Sequence, residues 1–150
     1  MRDIKRIILH CSASHDYEPD NQAFDMIGAK DIDVWHRHRG FKSPSGIHIG
    51  YHFVVRRTGV IEVGRPLNET GAHTQGENSD TIGVCYVGTH RPTDAQVSSL
   101  LEIAEDLYRR FGLGAECWHG HYEYANKTCP GLPMTMFKRL VFLHLHRCGS

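Results

Sequence analysis

The sequence predicts an α/β fold in which a central mixed β-sheet is flanked by helices, within a single domain over residues 1–150. Short runs rich in β-branched residues alternate with amphipathic helical patterns along the chain, an order typical of a sheet covered by helices. Two of these runs are separated only by the turn "TG" at 58–59, which predicts a hairpin and hence an antiparallel pair. A length of 150 residues fits one domain, and no repeat or linker interrupts it.

The first third of the chain predicts one strand and one helix. "IKRIILH" at 4–10 is a short apolar run that predicts a buried strand ending at His10. A polar segment follows, and "DIDVWHRHRGF" at 31–41 then fits a helix that Asp31 caps and Gly40 ends. The helical period places three residues on one face, namely Ile32, Trp35 and His36.

The middle of the chain predicts the hairpin, a long loop and a central strand. "YHFVVRR" at 51–57 and "VIEVGRP" at 60–66 are the two arms of the hairpin. "ETGAHTQGENSDTIG" is a polar stretch whose loop is long enough to suggest a function. "TIGVCYVG" at 81–88 is apolar on both faces, as expected for a strand in the middle of a sheet.

The last third predicts the clearest helix, a short strand and a final helix. In the segment 93–112, Thr93 and Gln96 have the spacing of a capping box and Gly112 is a stop signal. Its predicted apolar face comprises Val97, Leu100, Leu101, Ala104 and Leu107. "AECWHGH" then predicts a strand, and "PMTMFKRLVFLHL" predicts a helix with Pro133 in its first turn.

Composition excludes several functional classes. Seventeen basic residues balance 17 acidic ones, so we expect no nucleic-acid partner held by bulk charge. The N-terminal apolar run is too short for a signal peptide, and no stretch approaches the roughly 20 apolar residues of a membrane span. We therefore expect a cytoplasmic protein whose five cysteines remain thiols. Nothing in the sequence calls for more than a monomer.

Histidine is the compositional outlier, with 12 residues, and imidazole is the commonest metal ligand. His10 ends the first predicted strand, Tyr51 opens the second, and His121 follows "AECWHG", so these residues could meet at one edge of the sheet. Within "HYEYANKTCP" at 121–130, Cys129 lies eight residues after His121. His10, His121 and Cys129 would supply the three ligands of a catalytic zinc site. Spacing alone leaves open a chance triple.

Four blocks occur in order along the chain: "IILHCSAS", "GYHFVVRRTGVIEVGRP", "GAHTQGENSDTIGVCYVG" and "HYEYANKTCPG". Together they resemble the zinc-dependent N-acetylmuramoyl-L-alanine amidase family, which includes the T-seven phage lysozyme and the animal peptidoglycan recognition proteins. The resemblance implies one Zn²⁺ per chain held by His10, His121 and Cys129. It further implies that Tyr51 and Lys127 assist catalysis, and that His73 lines a substrate cleft.

The same resemblance implies the substrate and the setting. The reaction would be hydrolysis of the amide between the lactyl group of N-acetylmuramic acid and L-alanine in peptidoglycan. The setting would be host lysis by a phage or prophage endolysin held in the host cytoplasm until it is released to the cell wall. The T-seven phage lysozyme binds its phage RNA polymerase partly through an N-terminal extension, but only a few residues precede Ile7 here, so that partner is not expected.

Two alternative functions fit the same motifs less well. A cytoplasmic amidase that trims recycled muropeptides usually has aspartate as its third ligand, where this chain has Cys129. A non-catalytic wall-binding module is typical of relatives that have lost that cysteine. The remaining candidate residues are expected to be structural: Cys11, Trp35 and Trp118 in the core, His119 within a strand, His36, His38, His48 and His52 away from any ion, and 144–148 at a helix end.

Overall fold

Five strands form one mixed sheet in the computed structural model, which describes residues 1–148. The strands are β1 (Arg6–Cys11), β2 (Phe53–Val55), β3 (Ile61–Val63), β4 (Thr81–Tyr86) and β5 (Trp118–Gly120). Their order across the sheet is β3-β2-β4-β1-β5, with β2 and β3 antiparallel and every other neighbouring pair parallel. The predicted mixed sheet is therefore confirmed, and β4 lies at its centre as expected.

The three helices cover both faces of this sheet. They are α1 (Ala29–His38), α2 (Asp94–Phe111) and α3 (Met134–Cys148). Leu100 and Leu107 of α2 and Phe137 of α3 share one buried cluster with β1 and β4. Ile32 of α1 packs in a second cluster that contains Val54, Cys85 and Val87. Helix α1 thus lies against one face, and α2 and α3 lie against the other.

The helix ends follow from their sequence signals. The Thr93 side chain accepts a hydrogen bond from Gln96 N, the Gln96 side chain accepts one from Thr93 N, and Gly112 has the left-handed conformation that ends α2. Helix α1 begins two residues before the predicted start, and the Asp31 side chain caps it from inside the first turn by accepting from Gly28 N at 2.9 Å. Reciprocal capping of this kind satisfies backbone N–H groups that lack a partner within the helix.

Most predicted strands are shorter than expected, and β3 covers only Ile61–Val63 of the predicted 60–66. β2 covers only Phe53–Val55 of the predicted 51–57, although Tyr51 and His52 still bond through their carbonyl oxygens to the backbone N–H groups of Arg65 and Gly64. A 3-10 turn occupies Ala115–Cys117 ahead of β5. Within residues 1–148 no helix is both long and apolar enough to cross a membrane.

Candidate active site

The register of the sheet places His10 beside His121. β1 and β5 are parallel, and Leu9 is paired with Gly120, so the next residue on each strand is one of the two histidines. His10 is still within β1, whereas His121 begins a 3-10 turn that follows β5 directly. Both imidazoles therefore lie at the carboxyl edge of the sheet, with their Nδ1 atoms 3.1 Å apart. The structure thus brings His10 and His121 together at one edge of the sheet, as expected.

Cys129 reaches the same point because the loop 121–129 closes on itself. Tyr122 N donates to Cys129 O at 2.7 Å, which joins the two ends of the loop. The Cys129 Sγ atom lies 4.0 Å from His10 Nδ1 and accepts a hydrogen bond from Cys11 N at 3.1 Å. A backbone N–H aimed at the sulfur stabilises negative charge there.

The donor atoms of His10, His121 and Cys129 fit a zinc ion. All three lie within 4.8 Å of one another, and the residues are buried or half-buried. Tetrahedral zinc with N and S ligands requires separations of about 3.3 Å between nitrogens and about 3.6 Å between nitrogen and sulfur, close to the 3.1 Å and 4.0 Å found here. Among residues 1–148 no other group of histidine, cysteine or acidic side chains has such an arrangement.

The electrostatics of the three residues suit a cation. Burial first, and then the neighbouring imidazoles, lower the pKa of His10 well below its ordinary value. Burial and the ammonium of Lys127 lower the pKa of His121. Both rings are therefore neutral near pH 7, which is the form that binds metals. The Cys11 thiol and burial raise the pKa of Cys129 in the metal-free chain, so a bound cation would be what makes it a thiolate.

His73 is in contact with the other nitrogen of His10. The His73 Nδ1 atom lies 2.9 Å from His10 Nε2, and its own Nε2 lies 3.2 Å from Thr81 Oγ1. Burial lowers the pKa of His73 well below its ordinary value. His73 lines the cleft but only 9% of it is exposed.

Tyr51 and Lys127 lie on the walls of a cleft of about 750 Å³ that opens beside the three candidate ligands. The Tyr51 ring is 5.0 Å from the His10 ring. Burial and then the thiols of Cys85, Cys129 and Cys11 raise the pKa of Tyr51 well above its ordinary value, so it is a phenol near pH 7. Lys127 is exposed, and no salt bridge between residues 1 and 148 involves it.

The opposite wall of the cleft corrects one expectation. Trp35 was predicted to be a core residue, but it is 40% exposed and lines the cleft with Arg39 and Phe41. The exposure of Trp35 depends on how α1 is rotated about its axis. Ile32 and His36 point into the protein, which leaves Trp35 at the edge of the buried face of the helix. Trp118, in contrast, is fully buried against Phe137, as expected for a core residue.

Four other histidines have structural partners. His36 Nδ1 accepts from Gly50 N at 2.8 Å, and His52 Nδ1 accepts from Gly83 N at 3.0 Å. His119 lies in β5 and contacts Glu123. Residues 144–148 continue α3, where His144 contacts Glu105. None of these belongs to the candidate metal group.

Sequence reasoning missed two residues behind the site, Thr81 and Gly83. The Thr81 hydroxyl contacts His73, and the His73 ring packs where a side chain at Gly83 would be. A signal was available, because a glycine inside a buried strand often marks a close approach by another group.

The family model described as N-acetylmuramoyl-L-alanine amidase matches residues 1–132 of this chain. The chain belongs to the N-acetylmuramoyl-L-alanine amidase family. The enzyme class expected from the four sequence blocks is therefore confirmed.

Individual relatives are consistent with the family match. The endolysin of Klebsiella phage KP32 is 31% identical over 141 residues, covering 89% of this chain and 84% of that protein. The endolysin of Escherichia phage T7 is 32% identical over 136 residues, covering 85% and 81%. The solved structure of the amidase LysC from Clostridium intestinale has a TM-score of 0.76 at 26% identity, covering 93% of this chain and 86% of that one.

Proposed function

We propose that this chain is a zinc-dependent endolysin-type amidase, a single domain over residues 1–150. Its reaction is hydrolysis of the amide that joins the lactyl group of N-acetylmuramic acid to L-alanine in peptidoglycan. The observation that carries the proposal is the convergence of the His10, His121 and Cys129 donor atoms within 4.8 Å beside an open cleft. Three protein ligands with one free position are the mark of catalytic rather than structural zinc sites.

The chemistry divides between the metal and the chain. Bound zinc supplies Lewis acidity, which polarises a carbonyl and makes nearby water more acidic. Lys127 places an ammonium group on the cleft wall, where it stabilises the oxyanion that develops as water adds to the amide carbon. A single donor of this kind contributes about 3 kcal/mol in the transition state.

Tyr51 acts as a hydrogen-bond donor in this scheme. Its raised pKa keeps the phenol protonated near pH 7, which is the form that can donate a hydrogen bond to water or to the developing charge. His73 was expected to contact substrate. It lines the same cleft, and a substrate contact from this ring remains part of the proposal.

The proposed setting is host lysis, with the chain held in the host cytoplasm until it reaches the wall. Both phage relatives described above are endolysins by name. Peptidoglycan is the only partner this proposal requires.

The test is digestion of purified peptidoglycan with and without a zinc chelator, followed by an assay for newly freed L-alanine amino termini. We expect release that the chelator abolishes and that added zinc restores. Reducing sugar ends in place of amino termini would identify a glycosidase and refute the proposed reaction. Binding to the wall without any release would instead favour the non-catalytic module.

A further inference from the structure

We propose that His73 is a positioning residue which, together with Thr81, holds His10 in the tautomer whose Nδ1 lone pair faces His121 and Cys129. The inference rests on the proposed function only in taking these three residues as metal ligands. It concerns the direction of a chain of hydrogen bonds that runs from His10 through His73 and Thr81 to a backbone carbonyl.

The direction of these hydrogen bonds is set where the series ends, at the Glu77 carbonyl. The Thr81 hydroxyl lies 2.8 Å from Glu77 O. A carbonyl oxygen only accepts, so the hydroxyl donates its single hydrogen there. The Thr81 Oγ1 atom is then left with lone pairs alone, and His73 Nε2 at 3.2 Å must donate to it. The backbone thus fixes which nitrogen of His73 has the hydrogen.

The hydrogen on His73 Nε2 in turn determines the tautomer of His10. A neutral imidazole has one N–H and one lone pair, so a His73 ring that donates from Nε2 accepts at Nδ1. The partner at 2.9 Å is His10 Nε2, which must therefore be the N–H of that ring. The remaining nitrogen, His10 Nδ1, has the lone pair, and it is the atom 3.1 Å from His121 Nδ1 and 4.0 Å from Cys129 Sγ.

A neighbouring hydroxyl is consistent with this polarity. Thr74 Oγ1 lies 3.3 Å from His10 Nε2 and 3.1 Å from His73 Nδ1. It can share the His10 Nε2 hydrogen as a second acceptor, which reverses no other bond, because a hydroxyl oxygen has free lone pairs whereas the single lone pair of His73 Nδ1 already accepts from His10. Both nitrogens of His73 are therefore engaged inside the protein, and any contact of this ring with substrate would be through its carbons.

Packing holds the His73 ring in place. A Cβ atom at Gly83 would lie 2.6 Å from His73 Cδ2 and Cγ, and one at Gly71 would lie 2.6 Å from Cδ2. The absence of a side chain at both positions lets the ring pack directly on the backbone. Asn78 Oδ1 accepts from the backbone N–H groups of His73 and Thr74 at 3.0 Å and 2.9 Å, which fixes the loop that presents the ring.

A role of this kind has a measurable size. Hydrogen-bond partners behind a metal-ligating histidine orient the ring, and their loss typically lowers metal affinity by about 10- to 100-fold. His73→Leu removes the acceptor and should produce a loss in that range. His73→Asn places an amide oxygen near the position of Nδ1 and should restore most of the affinity. Thr81→Val removes the hydroxyl that sets the direction, whereas Thr81→Ser keeps it.

The experiment measures the zinc dissociation constant of these four variants and the wild type by competition with a chelator. Circular dichroism and thermal unfolding of the metal-free proteins show whether each variant folds. Nitrogen-15 NMR of the imidazoles in the metal-free wild type reads the tautomers directly, and we expect hydrogen on Nε2 of both His10 and His73. In Thr81→Val the His73 signals should shift towards the other tautomer.

The outcomes separate the two proposals. Wild-type zinc affinity in a folded His73→Leu protein, or hydrogen on His10 Nδ1 in the metal-free wild type, would overturn the positioning role. Equal losses in His73→Asn and His73→Leu would also overturn it, because the restored acceptor would have no effect. Zinc binding with the predicted variant pattern but without amide hydrolysis would refute only the proposed reaction.

Discussion

Removal of the Lys127 charge tests whether the ammonium stabilises the transition state. Lys127→Met keeps most of the aliphatic stem and removes the charge, whereas Lys127→Arg is the matched control that retains it. Lys127 is exposed and forms no salt bridge with any residue between 1 and 148. Its replacement should therefore change the free energy of unfolding by no more than about 0.5 kcal/mol.

The expected loss of rate follows from where the ammonium lies. Loss of one oxyanion donor typically lowers kcat by about 10²- to 10³-fold. The cleft is open and Lys127 is exposed, so water and salt screen the charge more than in a closed site. We therefore expect Lys127→Met to lie near the lower end, about 10²-fold in kcat, with a smaller loss in Lys127→Arg.

The assay is the rate of release of L-alanine amino termini from purified peptidoglycan, with the zinc content of each protein measured in parallel. Lys127→Met should retain zinc and lose rate. A fully active Lys127→Met protein would refute the oxyanion role. Loss of zinc together with rate would show instead that Lys127 supports the metal site.

Three further predictions concern the ligand set and the frame around it. Cys129→Ser should lose bound zinc and amidase activity together, as read by metal analysis and the same assay, while Cys117→Ser should lose neither. Gly50→Ala would place a Cβ 2.0 Å from Ala72 O, and we expect it to lower the free energy of unfolding by about 1–3 kcal/mol. Each kcal/mol corresponds to a fall in Tm of roughly 2–4 °C. The control Gly114→Ala, whose Cβ would meet only the flexible Glu116 side chain, should be less destabilising. Burial acts to raise the pKa of Asp33, but two backbone N–H donors outweigh it and lower that pKa. The stability that Asp33 contributes should therefore be complete above the unfolded-state pKa of about 3.9 and be lost as the pH falls through the lower folded-state pKa. The difference in Tm between wild type and Asp33→Asn should accordingly shrink on acidification, and a difference that grew would contradict this sign.

The sequence predicted those parts of the fold that depend on local signals. Both ends of α2 were predictable because residues at the ends themselves determine them: Thr93 and Gln96 cap the start, and Gly112 ends the helix. The limits of β2 were not, because Tyr51 and His52 keep backbone bonds to the neighbouring strand without regular strand geometry. The helical period placed Trp35 on the buried face, yet its exposure depends on how α1 is rotated against the sheet, which the packing of Ile32 and His36 decides.

The candidate ligands and the residues behind them differ in how far a sequence can reveal them. His10 and His121 lie at the ends of two predicted strands, so a meeting at one edge of the sheet could be expected, but only the structure shows that β1 and β5 are parallel neighbours. Thr81 and His73 act through contacts between a strand and a loop, and nothing in their spacing fixes which nitrogen faces which hydroxyl. The direction of the hydrogen bonds is decided by Glu77 O, an atom of the backbone. A sequence motif specifies side chains only. It can therefore include every metal ligand and still give no information about the backbone carbonyl that sets their tautomers.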